Sequence, residues 1–593
     1  MTTPLLLARV RRVWAPVEPG ADPRLWPWFL CAMLYAAGCA FLALRQAFAS
    51  EYMLADDVRQ HVFWMFRYVD PTLFPRDPIA DYFQSLAPGG FAALYRFLAQ
   101  LGIDPLLASK LIPSALSFIA VGYFFGLAWR FFRSPAAATL TAILFAQCLW
   151  LNSDLSSATP RAFFYPLFAA FLYYHVRGSV TGVLVAIALE ASFFPPAALL
   201  SLGVLGWSCL RWERGPHLAR EPRPYLLAAA AIVLTLLCLW PYLHGMRAFG
   251  PLVTFAEAKG MPEFGPEGRV PVFLPTWWGY WVGGNAGIHN LPTRPPWFLL
   301  PLLWPLLRLW PERFPFLRAI PDGTRLVPQI IGAALLLFAC AHVLLFRLYL
   351  PNRYTQATTR VLLTLLAGGV ILALLDAAIL RWSKAPNDDK SFRGPFIFSG
   401  VALVLILLLA YPLLIPAFPT NSYVQGNAPG LYRFFASQPA TIRIASVSDE
   451  ADNLPTFARR SIIVGAECAV PFHPAYYLPL RERGLQIARA QYSDDPALLR
   501  QCVRDQQIDF WLLERKAFTP RYHRKSRLLR QLRLVAPQEE LGLAQGETPL
   551  LKAPPPGSIV YEDERFIVVD VRRHLGPDEP LRASETFFST RRS

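Results

Sequence analysis

Two adjacent aspartates, Asp56 and Asp57, stand in the segment EYMLADDVRQHVFWMFRYVD, directly after the first long apolar run. One aspartate is sufficient to cap a helix, because its carboxylate accepts hydrogen bonds from the first backbone amides and opposes the helix dipole. A second carboxylate beside it adds repulsion, and such a pair suits acid/base catalysis or cation binding better than capping. The spacing alone leaves both interpretations open.

The residues that follow the pair predict an amphipathic helix lying in the membrane interface. Its polar face would carry Asp57, His61 and Trp64. Its apolar face would carry Val58, Val62, Met65, Phe66 and Val69. The next segment, FPRDPIADYF, contains two prolines that favour a solvated turn, and it adds the charged residues Arg76, Asp77 and Asp81.

Several ionisable residues fall within apolar runs or at their ends, where charge is costly and usually functional. Snorkelling of the side chain to the interface is the alternative explanation for each of them. Their predicted positions favour the outer leaflet for Lys110, Glu190, His342, Arg347 and Arg360, and the cytoplasmic side for Asp376. As a set they predict a polar cavity that opens on the outer leaflet.

Two short motifs add basic side chains on the same outer side. SSATPRAF carries Arg161, and RLYLPNRYTQ carries Arg347, Asn352, Arg353 and Tyr354. Paired hydrogen bonds from arginines at the interface would hold a lipid phosphate. Anchoring to lipid headgroups is the structural alternative.

The elements that must position these residues are membrane helices, so the predicted fold is mainly α. Of the 593 residues, 54% are hydrophobic and 17% are charged, against about 25% charged in soluble proteins. The formal net charge is +16, but the arginines concentrate in short loops beside apolar runs, which indicates cytoplasmic loops and excludes nucleic-acid binding. About eleven spans are predicted, at 25–48, 104–130, 136–152, 160–176, 180–193, 196–211, 224–244, 296–310, 326–346, 357–380 and 395–416.

The topology follows from the basic N-terminus, which stays in the cytoplasm, and from the odd number of spans, which places the tail outside. The predicted units are a cytoplasmic segment (1–24), a transmembrane body (25–416) whose first outer loop (50–102) carries the acidic pair, a soluble tail (417–580) and a disordered end (581–593). The predicted location is the plasma (inner) membrane, multi-pass. An outer tail without an N-x-[ST] sequon favours a bacterial cell.

The tail changes pattern to short apolar strands and amphipathic helices, which predicts a small extracytoplasmic α/β domain. The strand candidates are Ile442–Val447, Ser461–Val464 and Asp509–Leu513, with a final hairpin of Ser558–Tyr561 and Phe566–Val571. The helix candidates are Ala475–Ala490 and Ala497–Gln507. The tail has no Gly-rich phosphate loop and no nucleophile elbow, so we interpret it as a lid or acceptor-binding domain.

This layout resembles that of the GT-C superfamily of membrane glycosyltransferases. The resemblance covers the whole chain and rests on the acidic pair after the first span, the long first outer loop, the multi-span body and the outer C-terminal domain. Several branches of the superfamily carry Asp-Glu where this chain has Asp56 and Asp57. The resemblance implies an inverting enzyme that moves a sugar from a polyprenyl-phosphate donor to a glycan, lipid or protein acceptor.

The resemblance also implies roles for the residues above. Asp56 or Asp57 would act as the base on the acceptor hydroxyl. The donor phosphate would be held by Arg161 and Arg353, with Arg59 and Lys110 as further candidates. The cavity would include His61, Glu190, His342, Asn352 and Tyr354. A divalent metal, Mg²⁺ or Mn²⁺, is used by some branches of the superfamily, and here its ligands would be Asp56, Asp57 and His61.

Three other functions compete with this one. A lipid or sugar transporter (flippase) would carry its ionisable residues at the bilayer midplane and open to both sides, whereas here they cluster toward one leaflet. A catalytically silent GT-C relative would bind a lipid-linked glycan as a scaffold. A polymerase or ligase for lipid-linked glycans would share the donor and differ in its product.

Overall fold

The computed structural model of the chain describes residues 11–575, except 12, 18–23, 213–214, 289–294, 319, 321–324, 384–386, 417, 540 and 542–547. The predicted disordered end and most of the predicted cytoplasmic segment lie outside the described residues. The described chain is mainly helical, with a mixed β-sheet in its C-terminal region.

The secondary-structure elements are numbered separately for helices and strands. The helices before the tail are α1 (Trp26–Ala47), α2 (Val58–His61), α3 (Pro78–Ser85), α4 (Gly89–Gln100), α5 (Pro105–Phe132), α6 (Pro135–Leu149), α7 (Ser153–Ser156), α8 (Phe164–Arg177), α9 (Val180–Phe193), α10 (Pro195–Ser208), α11 (Arg223–Met246), α12 (Phe255–Gly260), α13 (Trp277–Trp281), α14 (Trp304–Arg308), α15 (Pro315–Arg318), α16 (Leu326–Val343), α17 (Asn352–Ser383) and α18 (Asn387–Ala410). Those of the tail are α19 (Pro429–Ala436), α20 (Leu454–Phe457), α21 (Pro474–Tyr492), α22 (Pro496–Gln506), α23 (Pro520–Lys525), α24 (Arg527–Leu532) and α25 (Val571–Leu575). The strands are β1 (Met53–Ala55), β2 (Leu210–Trp212), β3 (Pro216–Leu218), β4 (Tyr423–Gln425), β5 (Arg443–Ala445), β6 (Ser461–Ile462), β7 (Phe510–Glu514), β8 (Ile559–Glu562) and β9 (Phe566–Asp570).

Six helical segments among the described residues are long and apolar enough to cross a membrane, so the chain is a multi-pass membrane protein. They are α1, α5, α11 with its extension to Phe249, α16, α17 and Pro395–Leu414. Helices α6 and α9 are apolar but shorter. The span predicted at 296–310 forms a 3₁₀-helix, Pro296–Leu303, followed by α14, because its prolines interrupt α-helical hydrogen bonding. The number of about eleven spans stays a prediction.

Helix α17 is the centre of the body. Its apolar window is 72% buried, against 17% for α11 and 11% for Pro395–Leu414, whose apolar surfaces suit contact with lipid. Two glycines let neighbouring helices approach α17 closely. A Cβ at Gly368 would lie 1.9 Å from Oγ1 of Thr141 on α6, and one at Gly369 would lie 2.4 Å from the ring of Phe132 on α5.

The first outer loop is folded into the protein. After the short helix α2, residues Phe63–Tyr68 form a 3₁₀-helix, and Trp64, Met65 and Phe66 are all fully buried. The prediction of one amphipathic helix in the membrane interface is therefore wrong. The tail covers the loop, with the Arg459 guanidinium 4.1 Å from the centre of the Phe66 ring, so both faces of this apolar-rich segment belong to the core.

The described tail contains a five-stranded sheet in the order β6-β5-β7-β9-β8. Strands β6, β5 and β7 are parallel, and β9 pairs antiparallel with both β7 and β8. The predicted final hairpin is confirmed as β8 and β9, and the two predicted helices are confirmed as α21 and α22. The prediction of an α/β region in the tail is thus supported by alternating strands and helices.

A separate two-stranded ribbon joins the first outer loop to the tail. Strand β1 pairs antiparallel with β4, so that Met53 lies opposite Gln425 and Ala55 opposite Tyr423. The ribbon ends at the acidic pair, where the backbone amide of Asp56 donates to the carbonyl of Ser422 at 2.9 Å. The tail therefore fixes the backbone from which both aspartates project.

One buried carboxylate holds three segments of the chain together. Glu467 of the tail is 2% exposed and forms ion pairs with Arg59 of the first loop at 3.4 Å, with Arg269 of the segment between α12 and α13 at 2.5 Å, and with Arg527 of the tail. Gln60 also donates to it. Because a buried charge must be compensated locally, these segments are constrained to meet at Glu467.

Asp452 lies directly behind Glu467. Its two carboxylate oxygens accept from the backbone amide of Glu467 at 3.1 and 3.2 Å. Burial and, to a smaller extent, the charge of Glu467 raise the pKa of Asp452 to about 7 against the opposing effect of Arg59.

The substitution Glu467→Gln should lower the free energy of unfolding by about 3 kcal/mol, because it leaves buried guanidinium groups without a counter-charge. Glu562→Gln is the matched control, since it removes a solvent-exposed pair with Arg515 and should cost at most about 1 kcal/mol. Equilibrium unfolding of the purified protein in detergent measures both. Equal losses in the two variants would contradict the constraint assigned to Glu467.

The substitution Asp452→Asn should change how stability depends on pH. A carboxyl group whose pKa is raised in the folded state binds a proton more tightly there, so its contribution to stability falls as pH rises from about 4 to about 7. The variant should therefore gain stability relative to the parent protein between pH 5 and pH 8. Thermal unfolding of both proteins across this range is the measurement, and a constant difference would contradict the raised pKa.

Candidate active site

The acidic pair lies at the turn between β1 and α2. Asp57 occupies the position before the first turn of α2, but its side chain makes no capping hydrogen bond there. It instead forms an ion pair with Arg161, which follows the body helix α7. The capping interpretation of Asp57 is thus not supported, and its carboxylate is held by a charge from a distant part of the chain.

The two adjacent carboxylates point to different partners. Asp56, with a 39% exposed side chain, pairs with Arg59, whereas Asp57, with a 29% exposed side chain, pairs with Arg161. Asp56 lines two cavities, one in the tail and one in the body. Asp57 lines the body cavity and is not part of the described lining of the tail cavity. The pair therefore stands at the boundary between two separate spaces.

Arg161 also contacts a second carboxylate that the sequence reasoning missed. Its Nε atom lies 3.5 Å from Oδ1 of Asp154. The other carboxylate oxygen of Asp154 accepts from Arg360 at 2.6 Å and from the Tyr165 hydroxyl at 3.0 Å. The signal in the sequence was an acidic residue between two apolar runs, in LNSDLSS, but its partner Arg360 is 206 residues away.

The positive charge around these carboxylates keeps them ionised at neutral pH. Burial acts to raise the pKa of Asp57, but Arg161, His61 and Arg353 together lower it below its ordinary value. Burial also opposes ionisation of Asp154, yet Arg360 and Arg161 lower its pKa to about 2. Asp57 is therefore a carboxylate that can accept a hydrogen bond from a hydroxyl group, and it gains a proton only as that hydroxyl becomes strongly acidic.

The body cavity has a volume of about 790 Å³ and two chemically different walls. One wall is charged and carries Asp57, Arg161 and Arg353. The other is apolar and is formed by α10 and α11, which contribute Leu199, Leu239 and Leu243. A cavity of this kind fits a molecule that has an anionic group at one end and a hydrocarbon chain at the other.

Like the more exposed Arg347, Arg353 is a cation of the cavity lining that the protein leaves available. Among the described residues it forms no ion pair, and its buried Nε atom has no hydrogen-bond partner. Its guanidinium lies 5.6 Å from the centre of the Tyr349 ring, which also lines the cavity. A buried donor without a partner is costly, so this position suits an anionic ligand.

The remaining predicted site residues fall into two groups. His61 and Tyr354 line the body cavity, and Arg59 lines the tail cavity. Among the described residues, the lining of the body cavity does not include Lys110, Glu190, Asn352 and His342. Lys110 lies over the Phe48 ring, Asn352 donates to the carbonyl of Gly284 at 3.4 Å, and His342 lies 3.4 Å from the Tyr280 hydroxyl. Glu190 is fully buried, and both its carboxylate oxygens lack a partner in the described chain.

The predicted metal ligands do not form a set. Across the residues that the structure describes, no group of three or more His, Cys, Asp and Glu side chains comes together as a metal site. Asp56 and Asp57 are directed to different guanidinium groups, and a cation between them and His61 would have to displace Arg161. These residues do not fit the Mg²⁺ or Mn²⁺ site predicted for them, and we derive no step through a metal.

Comparisons with known proteins identify the fold. No family model matches the sequence, and no curated protein matches it. The structure is similar to that of the oligosaccharyltransferase AglB from Archaeoglobus fulgidus in complex with an inhibitory peptide and a dolichol-phosphate. The identity is 13% over 84% of this chain and 70% of that chain, and the TM-score is 0.50.

Two further structures show weaker similarity over most of the chain. ArnT from Cupriavidus metallidurans matches with 13% identity and a TM-score of 0.45, over 91% of this chain and 98% of that chain. The mycobacterial arabinofuranosyltransferase AftD matches with 15% identity and a TM-score of 0.49, over 84% of this chain and 37% of that chain. The similarity to AglB confirms the expected resemblance to GT-C membrane glycosyltransferases at the level of the fold alone.

Proposed function

We propose that the chain is a membrane glycosyltransferase that moves a sugar from a polyprenyl-phosphate donor to an acceptor outside the cytoplasm, with inversion at the anomeric carbon. One observation carries the proposal: Asp57 and the unpaired Arg353 line a single cavity to which α10 and α11 contribute apolar side chains. The GT-C-like fold is compatible with this function. Because one fold can host different functions, the proposal rests on the charges of the cavity, which suit a phosphate-linked donor.

The donor would lie with its phosphate against Arg353 and Arg161 and with its prenyl chain along the apolar wall. Bidentate hydrogen bonds from guanidinium groups suit a phosphate. The AglB structure with a similar fold holds a dolichol-phosphate, which supports this class of ligand. The excess of positive charge also favours the leaving group, because phosphate gains negative charge as its bond to the sugar breaks.

The acceptor hydroxyl would donate a hydrogen bond to Asp57. As the hydroxyl oxygen forms its bond to the anomeric carbon, the bond from that carbon to the phosphate oxygen breaks, and the phosphate leaves with the electron pair. The proton passes to Asp57 late, because its lowered pKa makes it a weak base. We assign this role to Asp57 and not to Asp56, because Asp57 shares the cavity wall with Arg161 and Arg353.

Helix α17 supports the proposed orientation in the membrane. Arg353 lies near its first residue, and Asp376 near its other end pairs with Arg11 of the N-terminal segment at 2.8 Å. At about 1.5 Å per residue these two positions are roughly 35 Å apart, close to the thickness of a bilayer core. With the arginine-rich N-terminus in the cytoplasm, the cavity and the tail face outward. We retain 25–416 as the body, 417–580 as the outer tail and the plasma membrane as the location.

The substitution Asp57→Asn should lower sugar transfer by about 10²-fold or more, because the residue can no longer accept the proton. The matched variant is Asp56→Asn, which changes the neighbouring carboxylate and should retain most of the activity. Release of undecaprenyl phosphate from a panel of undecaprenyl-phosphate sugars in detergent measures transfer. Full activity in Asp57→Asn would refute the assignment, and inactivity of the parent protein with every donor and acceptor supplied would favour a scaffold.

The substitution Arg353→Ala should weaken binding of undecaprenyl phosphate at least about tenfold, because it removes a charge-assisted hydrogen bond. Arg515→Ala, on the exposed surface of the tail, is the control and should bind as the parent protein does. Retention of the lipid is measured by native mass spectrometry over a range of lipid concentrations. Unchanged retention in Arg353→Ala would remove this residue from the donor site.

A further inference from the structure

A second large cavity lies in the tail, at the carboxyl ends of its parallel strands. Its volume is about 990 Å³. Asp449 and Glu450, which follow β5, and Glu514, which ends β7, line it. In open α/β sheets, ligands bind in the crevice outside the carboxyl ends of the strands, so this position is typical of a binding site.

The floor of the tail cavity is acidic and held in place by the protein. Glu514 accepts from the Ser448 hydroxyl at 2.6 Å and from the Tyr522 hydroxyl at 3.3 Å. Asp449 accepts from the backbone amide of Arg527 at 2.9 Å. Burial raises the pKa of both carboxyl groups. Such fixed carboxylates are acceptors for the hydroxyl groups of a ligand.

The rim of the same cavity is basic. Lys516, Arg521 and Lys525 line it and are exposed, and within the described chain none of them forms an ion pair. Arg565, also on the lining, lies 3.9 Å from Glu450. In total the lining has six basic and four acidic side chains. The excess charge is positive and belongs to the side chains that the protein leaves unpaired, so the rim favours an anionic ligand.

The lining is poor in the side chains that usually bind peptides. It includes the rings of Tyr423 and Tyr522 and the aliphatic side chain of Val424, but among described residues it has no Leu, Ile, Met, Phe or Trp. Peptide grooves rely on apolar pockets for alternate side chains. Carboxylates, hydroxyl groups and two tyrosine rings instead match the hydroxyl groups and faces of sugars.

The two cavities meet at the acidic pair. Asp56 lines both of them, and the Arg59 side chain that pairs with Asp56 forms part of the wall of the tail cavity. A molecule in the tail cavity therefore has one end beside the carboxylates and the rest on the sheet. A chain of several sugar residues has the length to do this.

We propose that the tail cavity binds the acceptor, and that the acceptor is an anionic glycan whose carboxylate or phosphate groups contact Lys516, Arg521 and Lys525. This inference rests on the proposed glycosyltransferase function and names its acceptor class. The acidic floor would bind the hydroxyl groups of the glycan, and the acceptor end would pass Asp56 to reach Asp57.

The test measures binding of a galacturonic acid hexasaccharide to the full chain in detergent, with maltohexaose as the neutral probe of equal length and hexaglutamate as the peptide probe. The parent protein should bind the anionic hexasaccharide at least about tenfold more tightly than maltohexaose, and binding should weaken as salt rises. The double variant Lys516→Glu/Lys525→Glu should lose at least about tenfold in affinity. Arg500→Glu/Lys552→Glu, exposed tail positions off the cavity lining with the same change in charge, should retain it.

Each other outcome overturns the inference. Equal affinity for the anionic and neutral hexasaccharides would show that the site does not select for charge. Equal losses of affinity in the two double variants would show that the glycan does not bind in the tail cavity. Preference for hexaglutamate assigns the cavity to an acidic peptide. Retention of undecaprenyl phosphate by the same samples distinguishes failure of the acceptor inference from failure of the proposed donor. Normal retention of the lipid without glycan binding refutes the acceptor class alone. Loss of lipid retention with normal glycan binding refutes the proposed donor.

Discussion

The buried carboxylate of Glu467 is the constraint on which the part of the molecule around the acidic pair depends. Its ion pairs reach the loop after α1 through Arg59, the segment between α12 and α13 through Arg269 and the tail through Arg527. A charge at this depth is tolerated only where all of these partners are present. The same contact therefore fixes the tail on the body and orients the loop from which the aspartates project.

This constraint gives two neighbouring residues of the same type different environments. Arg59 forms ion pairs with both Glu467 and Asp56, while Arg161 forms ion pairs with both Asp154 and Asp57. Each aspartate is thus balanced by an arginine that is itself anchored to another carboxylate. Among the described residues, the body cavity also contains two arginines without an ion pair, Arg347 and Arg353, and Arg353 is the less exposed of the two.

The sequence was sufficient where a signal is local. Long apolar runs predict α5 and α17, and alternating apolar strands predict the hairpin of β8 and β9. It was insufficient where the partner is distant. Asp77 was interpreted as part of a solvated turn, but it is buried and caps α3 through the amides of Ile79 and Ala80. No local pattern reports that Glu467 meets Arg59, 408 residues earlier, or that the first loop is covered on both faces.

The ribbon of β1 and β4 sets an order of events in the life of the protein. The strand beside the acidic pair is made early, whereas its partner strand follows the last membrane helix. At about 5–20 residues per second, synthesis of the intervening chain takes tens of seconds. During that time the backbone of the aspartates lacks its partner strand, and Arg59, which pairs with Asp56, lacks the Glu467 carboxylate of the tail. A chain that ends before β4 therefore lacks the ordered backbone at its acidic pair, and the candidate site is complete only after the last membrane helix has been followed by the tail.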